Sequence, residues 1–223
     1  MKKIAFIGVI FAATLMVLSA CTVNSGGVNS VRGTGDMVLY DITETGFTGL
    51  NISGGYELTF RQSPDFSVTL EIQSNLFNYI ETSVRGGVFY LSSTRGFTTS
   101  SGNTPQLVVY TPDLDSLHFA GSVDADIYLH VNQLDVNLAG AGDVTLAGSA
   151  QTLNIETAGA SDISAFDLIA TNATISIAGA GNAEVYATDT LDVSIAGVGN
   201  VRYDGDAVVT RSVAGVGSVQ RRN

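Results

Sequence analysis

The sequence contains little cysteine, tryptophan, proline and positive charge. Cys21 is its only cysteine, which excludes an internal disulfide and a metal cluster built from several cysteines. Ten lysines and arginines stand against 21 aspartates and glutamates, so the net charge is −11. This excess of acid disfavours binding to nucleic acid or to anionic lipid headgroups, because both need lysine and arginine. Tryptophan is absent and there are only three prolines, whereas glycine occurs 25 times among many valines, isoleucines, threonines and alanines. This composition indicates an all-β protein.

Motifs that carry catalysis or cofactor binding are also missing. The sequence has no G-x-S-x-G nucleophile elbow, no P-loop and no dinucleotide-binding fingerprint. His118 and His130 stand twelve residues apart with no motif around them, and the acidic residues are spread along the chain instead of being gathered in one segment. We therefore predict that the protein is not an enzyme and that it needs no cofactor.

The N-terminus is typical of a secretory signal. Lys2 and Lys3 precede an apolar run of 14 residues from Ile4 to Val17, which is short for a membrane span. Leu18-Ser19-Ala20-Cys21 follows, and small residues before a cysteine resemble the lipobox of bacterial lipoproteins. The resemblance implies that residues 1–20 are a signal peptide and that Cys21 carries a diacylglycerol and an acyl chain such as palmitate. Ordinary signal-peptidase cleavage, which leaves Cys21 as a free thiol, is the alternative.

The next segment, residues 21–45, is predicted to be the lipid anchor and a flexible tether. Residues 22–35 are mainly serine, glycine, asparagine and threonine, with few apolar side chains. No second apolar segment of spanning length follows, so we expect the rest of the chain to lie outside the bilayer. Thr22 stands where many lipoproteins of the inner membrane have aspartate. We expect a lipid-anchored protein of the bacterial cell envelope, in the outer membrane where one exists, on its periplasmic or its surface face.

Residues 46–110 form a predicted N-terminal β-rich part. Five segments there have the alternation and the length of strands: Phe47–Ser53, Tyr56–Phe60, Phe66–Ile72, Val88–Leu91 and Leu107–Tyr110. Turn signals separate the segments, as at Ser53-Gly54-Gly55. Asn75–Ile80 is predicted to be a short helical turn, and Phe97–Thr104 a polar surface loop.

Residues 111–220 are dominated by a short repeat. Each copy has alternating apolar residues, then Ala-Gly, then a small residue and a short polar one. Six glycines mark the copies at intervals of 19, 19, 20, 18 and 18 residues: Gly121, Gly140, Gly159, Gly179, Gly197 and Gly215. A unit this short cannot bury an apolar face alone, so its copies must stack. We predict a right-handed parallel β-helix, a solenoid of about six coils. A left-handed hexapeptide helix and an antiparallel meander are the alternatives.

The alternation within each repeat divides its first strand into two faces. The side chains predicted to point inward are Leu134, Val136, Leu138, Leu153, Ile155, Ile175, Ile177, Leu191, Val193, Ile195, Val209 and Val213. Polar residues such as Asp135, Asn154 and Thr174 alternate with them and are predicted to point outward. Arg211 interrupts the inward set of the last copy, as expected for a terminal coil whose outer side faces solvent.

The corner after each Ala-Gly carries a short polar side chain, in the order Asp124, Asp143, Asp162, Asn182, Asn200 and Ser218. The corner glycines are expected at positive φ or at a close backbone approach. Stacked aspartates about 5 Å apart are candidates for a calcium site, which makes Asp124, Asp143 and Asp162 the candidate metal ligands. Such side chains also hydrogen-bond backbone donors. Because the series continues into neutral residues, we favour this structural role over metal binding.

A row of aromatic residues is the candidate binding site. Aligning the second strands of the repeats places Tyr128, Phe166 and Tyr186 at one outward position, with Ala147 and Asp204 completing the row. Exposed aromatic rings beside hydrogen-bonding groups suit a sugar ring or a protein partner. Coverage by the N-terminal part or by a loop is the alternative.

Several stretches of the chain resemble one known family. Residues 47–55 (FTGLNISGG), residues 108–114 (VVYTPDL) and the recurring AGAGD, AGAGN and AGVGN resemble the "head GIN" domain of bacterial "putative adhesins", which is often found on lipoproteins. The resemblance covers about residues 46–219. It implies a β-helical head with a β-rich N-terminal part and supplies no catalytic residue. The family name also implies autotransport, whereas here we expect the lipid on Cys21 to be the anchor, because the sequence runs to Asn223 directly after the last repeat.

Together these patterns predict a non-enzymatic lipoprotein of the cell envelope. We expect its head to bind a glycan or a protein, its lipid anchor to bind the membrane, and no part of it to bind nucleic acid. The alternative is a structural envelope protein that associates with copies of itself as a homo-oligomer and has no dedicated ligand.

Overall fold

The structure, a computed structural model, describes residues 30–222. The predicted signal peptide, Cys21 and most of the predicted tether therefore lie outside the described residues. Across residues 30–222 the chain is almost entirely β-structure, with one 3-10 helix at Phe77–Tyr79 as its single helical element. None of this range forms a helix long and apolar enough to cross a membrane. The prediction of an all-β protein is confirmed.

The described residues form twelve strands. They are β1 (Val31–Arg32), β2 (Met37–Ile42), β3 (Gly49–Gln62), β4 (Ser67–Gln73), β5 (Ile80–Arg85), β6 (Val88–Ser93), β7 (Phe97–Thr98), β8 (Gln106–Thr111), β9 (Ser116–Ile195), β10 (Val198–Asp204), β11 (Val208–Val213) and β12 (Val216–Arg221). The 80 residues of β9 form one continuous run of extended chain. Side chains and backbone 18 to 20 residues apart within β9 are hydrogen-bonded, as at Asp143–Asp124 and Asn182–Asp162, so this run turns back on itself.

Most strands belong to one large mixed sheet. Its order is β12-β10-β9-β3-β8-β4-β2, while β11 pairs with β9 and the β5–β6 hairpin pairs with β3 through β6. The pairings β12–β10, β10–β9, β11–β9, β9–β3 and β8–β3 are parallel. β4 and β2 add to β8 in antiparallel fashion. A separate two-stranded sheet joins β1 to β7.

The parallel pairing follows the spacing of the sequence repeat. Val198 lies beside Ala180 and Val216 beside Val198, an offset of 18 residues in both cases. Val208 lies beside Thr190 with the same offset. Equivalent positions of these copies are thus neighbours in the sheet, and the antiparallel alternative for the repeats is wrong.

The predicted alternation decides which side chains are buried. Ten of the twelve residues predicted to point inward are buried, and the polar residues between them are partly or fully exposed. Val209 is only half-buried and Val213 is 41% exposed. Both lie on β11, which among the described residues has a strand on one side only, so nothing covers their far side.

The corner glycines have both positive φ and a close approach to the neighbouring backbone, as predicted. Gly140 has a φ of +155°, and a Cβ placed on it would collide with the carbonyl oxygen of Gly121 in the preceding copy. Gly159 has a φ of +153° and the same relation to Gly140. A side chain at such a corner would therefore be strained and would also push neighbouring copies apart.

The repeat register extends further towards the N-terminus than the sequence indicates. β3 pairs with β9 over 13 positions, from Gly49 beside Ser116 to Arg61 beside Tyr128, and Gly54 lies beside the corner glycine Gly121. Ser53-Gly54-Gly55 is therefore a corner within one strand, and its prediction as a turn between two strands is wrong. Residues 63–115 are inserted between this first copy and the second one.

Two further predictions need correction. The range predicted as anchor and tether, 21–45, includes β1 and β2, and β2 is held by pairing with β4 and by the ring of Tyr40, which stacks on Phe77 at 3.6 Å. The segment Phe97–Thr104 is not wholly a loop, because β7 pairs with β1. The short helical turn predicted for Asn75–Ile80 is confirmed by the 3-10 helix, whereas β5 was not predicted.

Candidate binding surface

The predicted aromatic row follows the outward face of the second strands. Tyr128 pairs with Arg61 of β3, and Tyr186 pairs with Asp204 of β10. The three aromatic side chains differ in exposure: Tyr128 is 47% exposed, whereas Phe166 and Tyr186 are half-buried. The row therefore offers one open aromatic side chain, at the end nearest β3.

His130 belongs to this surface and fixes Tyr128. The Tyr128 hydroxyl lies 3.0 Å from Nε2 of His130, and the two rings meet edge to face with centroids 5.2 Å apart. Nδ1 of His130 lies 2.9 Å from the hydroxyl of Ser149. Both ring nitrogens are thus engaged with hydroxyl groups, which can act as donors or acceptors. The sequence could have indicated this pair, because residues two apart on a strand share a face.

The Gln62 side chain hydrogen-bonds both backbone groups of His130, as the backbone of a neighbouring strand would. Oε1 of Gln62 accepts the His130 N–H at 2.8 Å, and Nε2 of Gln62 donates to the His130 carbonyl at 3.2 Å. The same Nε2 donates to the carbonyl of Pro112 at 2.9 Å. Because Gln62 ends β3 and Pro112 lies within the insertion, the insertion helps to position this end of the aromatic row.

The opposite end of the row is covered by guanidinium groups. The Arg222 guanidinium carbon lies 4.7 Å from the centre of the Phe166 ring, and that of Arg202 lies at 5.9 Å. Arg202 also donates to Glu184 at 2.9 Å. Arginine stacked on an aromatic ring is attracted by the ring quadrupole. These contacts occupy part of the Phe166 surface, so Phe166 offers a ligand less open surface than Tyr128 does.

A groove of about 1090 Å³ begins beside His130. Its walls include Gln62, Asp113, Asp115, Asp135 and the 52% exposed side chain of Ile169. No lysine or arginine lies along it. Between Arg95 and Arg202 the sequence has no lysine or arginine and twelve acidic residues. With Asp113, Asp115 and Asp135 on its walls, the groove is negatively charged and also has amide and apolar groups, so it suits neutral or cationic ligands and does not suit anions.

The corner side chains hydrogen-bond to the next copy of the repeat. Oδ1 of Asp124 accepts the backbone N–H of Asp143 at 3.1 Å, and Oδ1 of Asp162 accepts that of Asn182 at 2.9 Å. Asn182 accepts from Asn200 in the same manner, at 3.3 Å. Nowhere in residues 30–222 do three or more histidine, cysteine, aspartate or glutamate side chains group closely enough to hold a metal ion. The structure thus shows Asp124 and Asp162 as acceptors for backbone donors.

Comparisons with known proteins agree on the kind of fold. A family model described as "Putative auto-transporter adhesin, head GIN domain" matches residues 46–207. A solved structure called a "putative adhesin" from Bacteroides fragilis is 20% identical, with a TM-score of 0.70 over 86% of this chain and 100% of its own. One from Parabacteroides merdae is 18% identical, with a TM-score of 0.53 over 87% and 100% of the two chains.

A third, from Parabacteroides distasonis, is 20% identical, with a TM-score of 0.51 over 86% and 100% of the two chains. No curated protein matches the sequence significantly. At these identities the solved structures support the fold and not a ligand. The family model, however, spans well over half of the sequence. The chain therefore belongs to the head GIN domain family, described as "putative auto-transporter adhesin".

Proposed function

We propose that this protein is a non-enzymatic lipoprotein of the bacterial cell envelope whose head binds a glycan or a protein. The binding surface is the aromatic row, with Tyr128 as its main contact and Phe166 and Tyr186 as further ones. Membership of a family described as adhesin-like supports binding as the function. The observation that carries the proposal is the open ring of Tyr128, fixed by His130 at the mouth of the acidic groove.

The chemistry of this surface favours a neutral or amino-substituted glycan over an acidic one. An aromatic ring stacks on the apolar face of a sugar, and amide and carboxylate groups accept its hydroxyl protons. Asp113, Asp115 and Gln62 line the groove next to His130, so a saccharide lying from Tyr128 into the groove would meet these groups in turn. An anionic glycan would instead meet like charge from Asp113, Asp115 and Asp135 where it enters the groove.

The head is proposed to be a right-handed parallel β-helix, extended by one copy beyond the six of the sequence repeat. The parallel pairing at offsets of 18 residues supports this winding. The hand follows from the strong preference of parallel crossovers. Such a head presents its outward second-strand positions in one row, which makes a long surface available to an extended ligand.

The anchor is proposed to be a lipid on Cys21, in the outer membrane where one exists. Two or three acyl chains hold a protein firmly, since each buried methylene contributes about 0.8 kcal/mol. A Cys21→Ser variant should leave the membrane fraction and lose the mass of the acyl groups, whereas wild type should keep both. Protease added to intact cells would then digest the head only if it faces outward.

Glycan arrays carrying neutral, amino-substituted and acidic oligosaccharides test the binding surface. The full chain in detergent should bind members of the first two classes, and Tyr128→Ser should weaken this binding at least tenfold. Tyr90→Ser is the matched control, because Tyr90 is a partly exposed tyrosine on β6 that pairs with Asn51, on the other side of the Gly54 corner from Arg61 and Tyr128. Equal binding by wild type and Tyr128→Ser would remove this surface from consideration. The alternative function, an envelope protein that associates with itself, is favoured by the exposed valines at one edge of the sheet.

A further inference from the structure

The two edges of the large sheet are open and partly apolar. Within residues 30–222, β2 pairs only with β4 and β12 pairs only with β10. Nine large apolar residues in this range are strongly exposed. Three of them, Val38, Leu39 and Val216, lie on β2 and β12, and two more, Val208 and Val213, lie on β11, which pairs only with β9. Unpaired edges with exposed apolar side chains are sites at which another strand can add.

The direction of the strands makes the two edges compatible with each other. β2 is antiparallel to β4, and β4 is antiparallel to β8, so β2 runs in the same direction as β8. β8, β3, β9, β10 and β12 are all parallel. β2 and β12 therefore have the same direction, and each is six residues long. A copy displaced along the stack would bring its β2 alongside β12 as a parallel neighbour of equal length.

The charges of the two edges are opposite. Asp36 and Asp41 flank the apolar residues of β2, with no basic residue between them. Arg211 on β11, Arg221 on β12 and the adjacent Arg222 lie at the other edge, and neither strand contains an acidic residue. Like charges placed opposite each other destabilise a strand pair. The charges thus disfavour pairing of two β12 strands or of two β2 strands, and they favour pairing of β12 with β2.

Two of these arginines already have partners that an incoming strand would rearrange. Arg221 donates to Asp206 at 2.7 Å, in a pair exposed to solvent. Arg211 donates to the carbonyl of Val219 at 3.2 Å and so occupies one acceptor of the β12 edge. An incoming β2 strand would displace Arg211 from Val219 and would offer Asp36 or Asp41 in exchange. Exposed ion pairs are weak, so the release of Arg221 from Asp206 costs little.

We propose that copies of this protein stack head to tail, with β12 of one copy pairing in parallel with β2 of the next. Such an interface joins two different surfaces, so it does not close after two copies and continues as a linear series. The occupant of each edge is a second copy of the same chain. The interface does not include Tyr128, the main contact of the proposed binding surface, or His130, although Arg222 at this edge also stacks on Phe166.

Two single-edge variants test this arrangement. Leu39→Arg places positive charge on the β2 edge, and Val216→Glu places negative charge on the β12 edge. Both side chains are exposed, at 61% and 71%, so the fold should persist, as circular dichroism can verify. In sedimentation velocity of the full chain in detergent, wild type should form a concentration-dependent series of oligomers and each variant alone should be monomeric.

The decisive sample is a mixture of the two variants. One variant keeps an intact β12 edge and the other an intact β2 edge, so mixing them should restore the association that neither variant shows alone. Ile169→Arg is the matched control, since Ile169 is 52% exposed away from both edges; it should assemble like wild type, as should Tyr128→Ser. Wild type that stays monomeric at all concentrations would overturn the proposal. Dimers of either single variant alone would show that two identical edges pair with each other, and this would overturn the head-to-tail arrangement.

Discussion

The repeats and the N-terminal part share one sheet but fill their interiors with different side chains. Between Val123 and Val201 every buried apolar residue is aliphatic. In the N-terminal part, by contrast, Phe47 packs against Phe66 and Phe89, with ring centroids 5.5 and 5.2 Å apart. Equivalent positions of the repeats are sheet neighbours about 4.8 Å apart, so side chains of similar size stack in rows. The N-terminal part lacks this regular spacing, and large rings fill its irregular volume.

Two kinds of constraint therefore hold this fold. In the repeats, backbone register and the corner glycines set the distance between neighbours, and the side chains follow. In the N-terminal part, particular ring contacts and side-chain hydrogen bonds position the strands. Mutations should therefore act mainly through cavities in the N-terminal part, and through backbone spacing as well as cavities in the repeats.

The largest expected effect is the loss of a buried ring in the N-terminal part. Phe89→Ala should lower the free energy of unfolding by about 4 kcal/mol, because the ring is fully buried against Phe47. Ile175→Ala in the repeats should cost less, about 3 kcal/mol, since its smaller side chain leaves a smaller cavity. Denaturant unfolding measures both values. A Phe89→Ala loss no larger than that of the exposed control Tyr110→Ala would contradict the role of the rings.

Backbone spacing in the repeats is tested at a corner. Gly140→Ala should cost about 3 kcal/mol, because the new Cβ meets the Gly121 carbonyl and φ is +155°. Gly96→Ala is the control, since a Cβ there meets no atom within 4 Å. Thermal unfolding should separate the two variants clearly. Similar melting temperatures would mean that the corners tolerate a side chain and that register is set elsewhere.

The first copy of the repeat contains a tyrosine that should make stability depend on pH. Tyr56 is 1% exposed, its hydroxyl has no hydrogen-bond partner within the described part of the chain, and burial raises its pKa to about 12. The unfolded chain loses the Tyr56 proton near pH 10, whereas the folded protein keeps it until about pH 12. The stability that depends on protonated Tyr56 is therefore complete below pH 10 and is lost as pH rises towards 12. Stability should fall by about 2 kcal/mol over this window.

Tyr56→Phe removes the titrating group while keeping the ring. At neutral pH its stability should equal or exceed that of wild type, because no unpaired hydroxyl remains buried. Unfolding measured from pH 9.5 to about pH 12 should show a smaller loss in this variant than in wild type. An identical loss in both would assign the pH dependence to other groups.

The smallest effect is expected at the corner side chains. Asn182→Ala removes the acceptor for the Asn200 N–H and the donor to Asp162, at 3.3 and 2.9 Å. The expected cost is about 1 kcal/mol, because these groups are exposed and water replaces them in part. Asn182→Asp keeps the acceptor and should cost less. A larger loss for Asn182→Asp than for Asn182→Ala would show that charge repulsion with Asp162 dominates.

The sequence predicts the repeats better than the N-terminal part for a physical reason. The period-two alternation and the recurring glycine identify the inward side chains of the repeats, because every copy repeats the same constraint. Gly54 is also a corner glycine, beside Gly121. Residues 63–115 separate its copy from the next one, so the sequence pattern around Gly54 indicates a turn instead of a repeat. Of the binding surface, the row of Tyr128, Phe166 and Tyr186 followed from alignment of the repeats. The roles of Gln62 and Arg222 did not, because they depend on contacts between residues distant in sequence, whereas the contact of His130 with Tyr128 joins residues two apart on one strand.

Deletion of one whole repeat tests the central claim, that register between equivalent copies holds the C-terminal part together. Removing residues 180–197 joins Gly179 to Val198, which occupies the position equivalent to Ala180. The shortened protein should remain folded, with an unchanged circular dichroism spectrum and a melting temperature only a few degrees lower. Removing only residues 180–188, half a repeat, should unfold the C-terminal part because corners would then face strand centres. A whole-repeat deletion as damaging as the half-repeat deletion would mean that register between copies does not hold this part of the fold together.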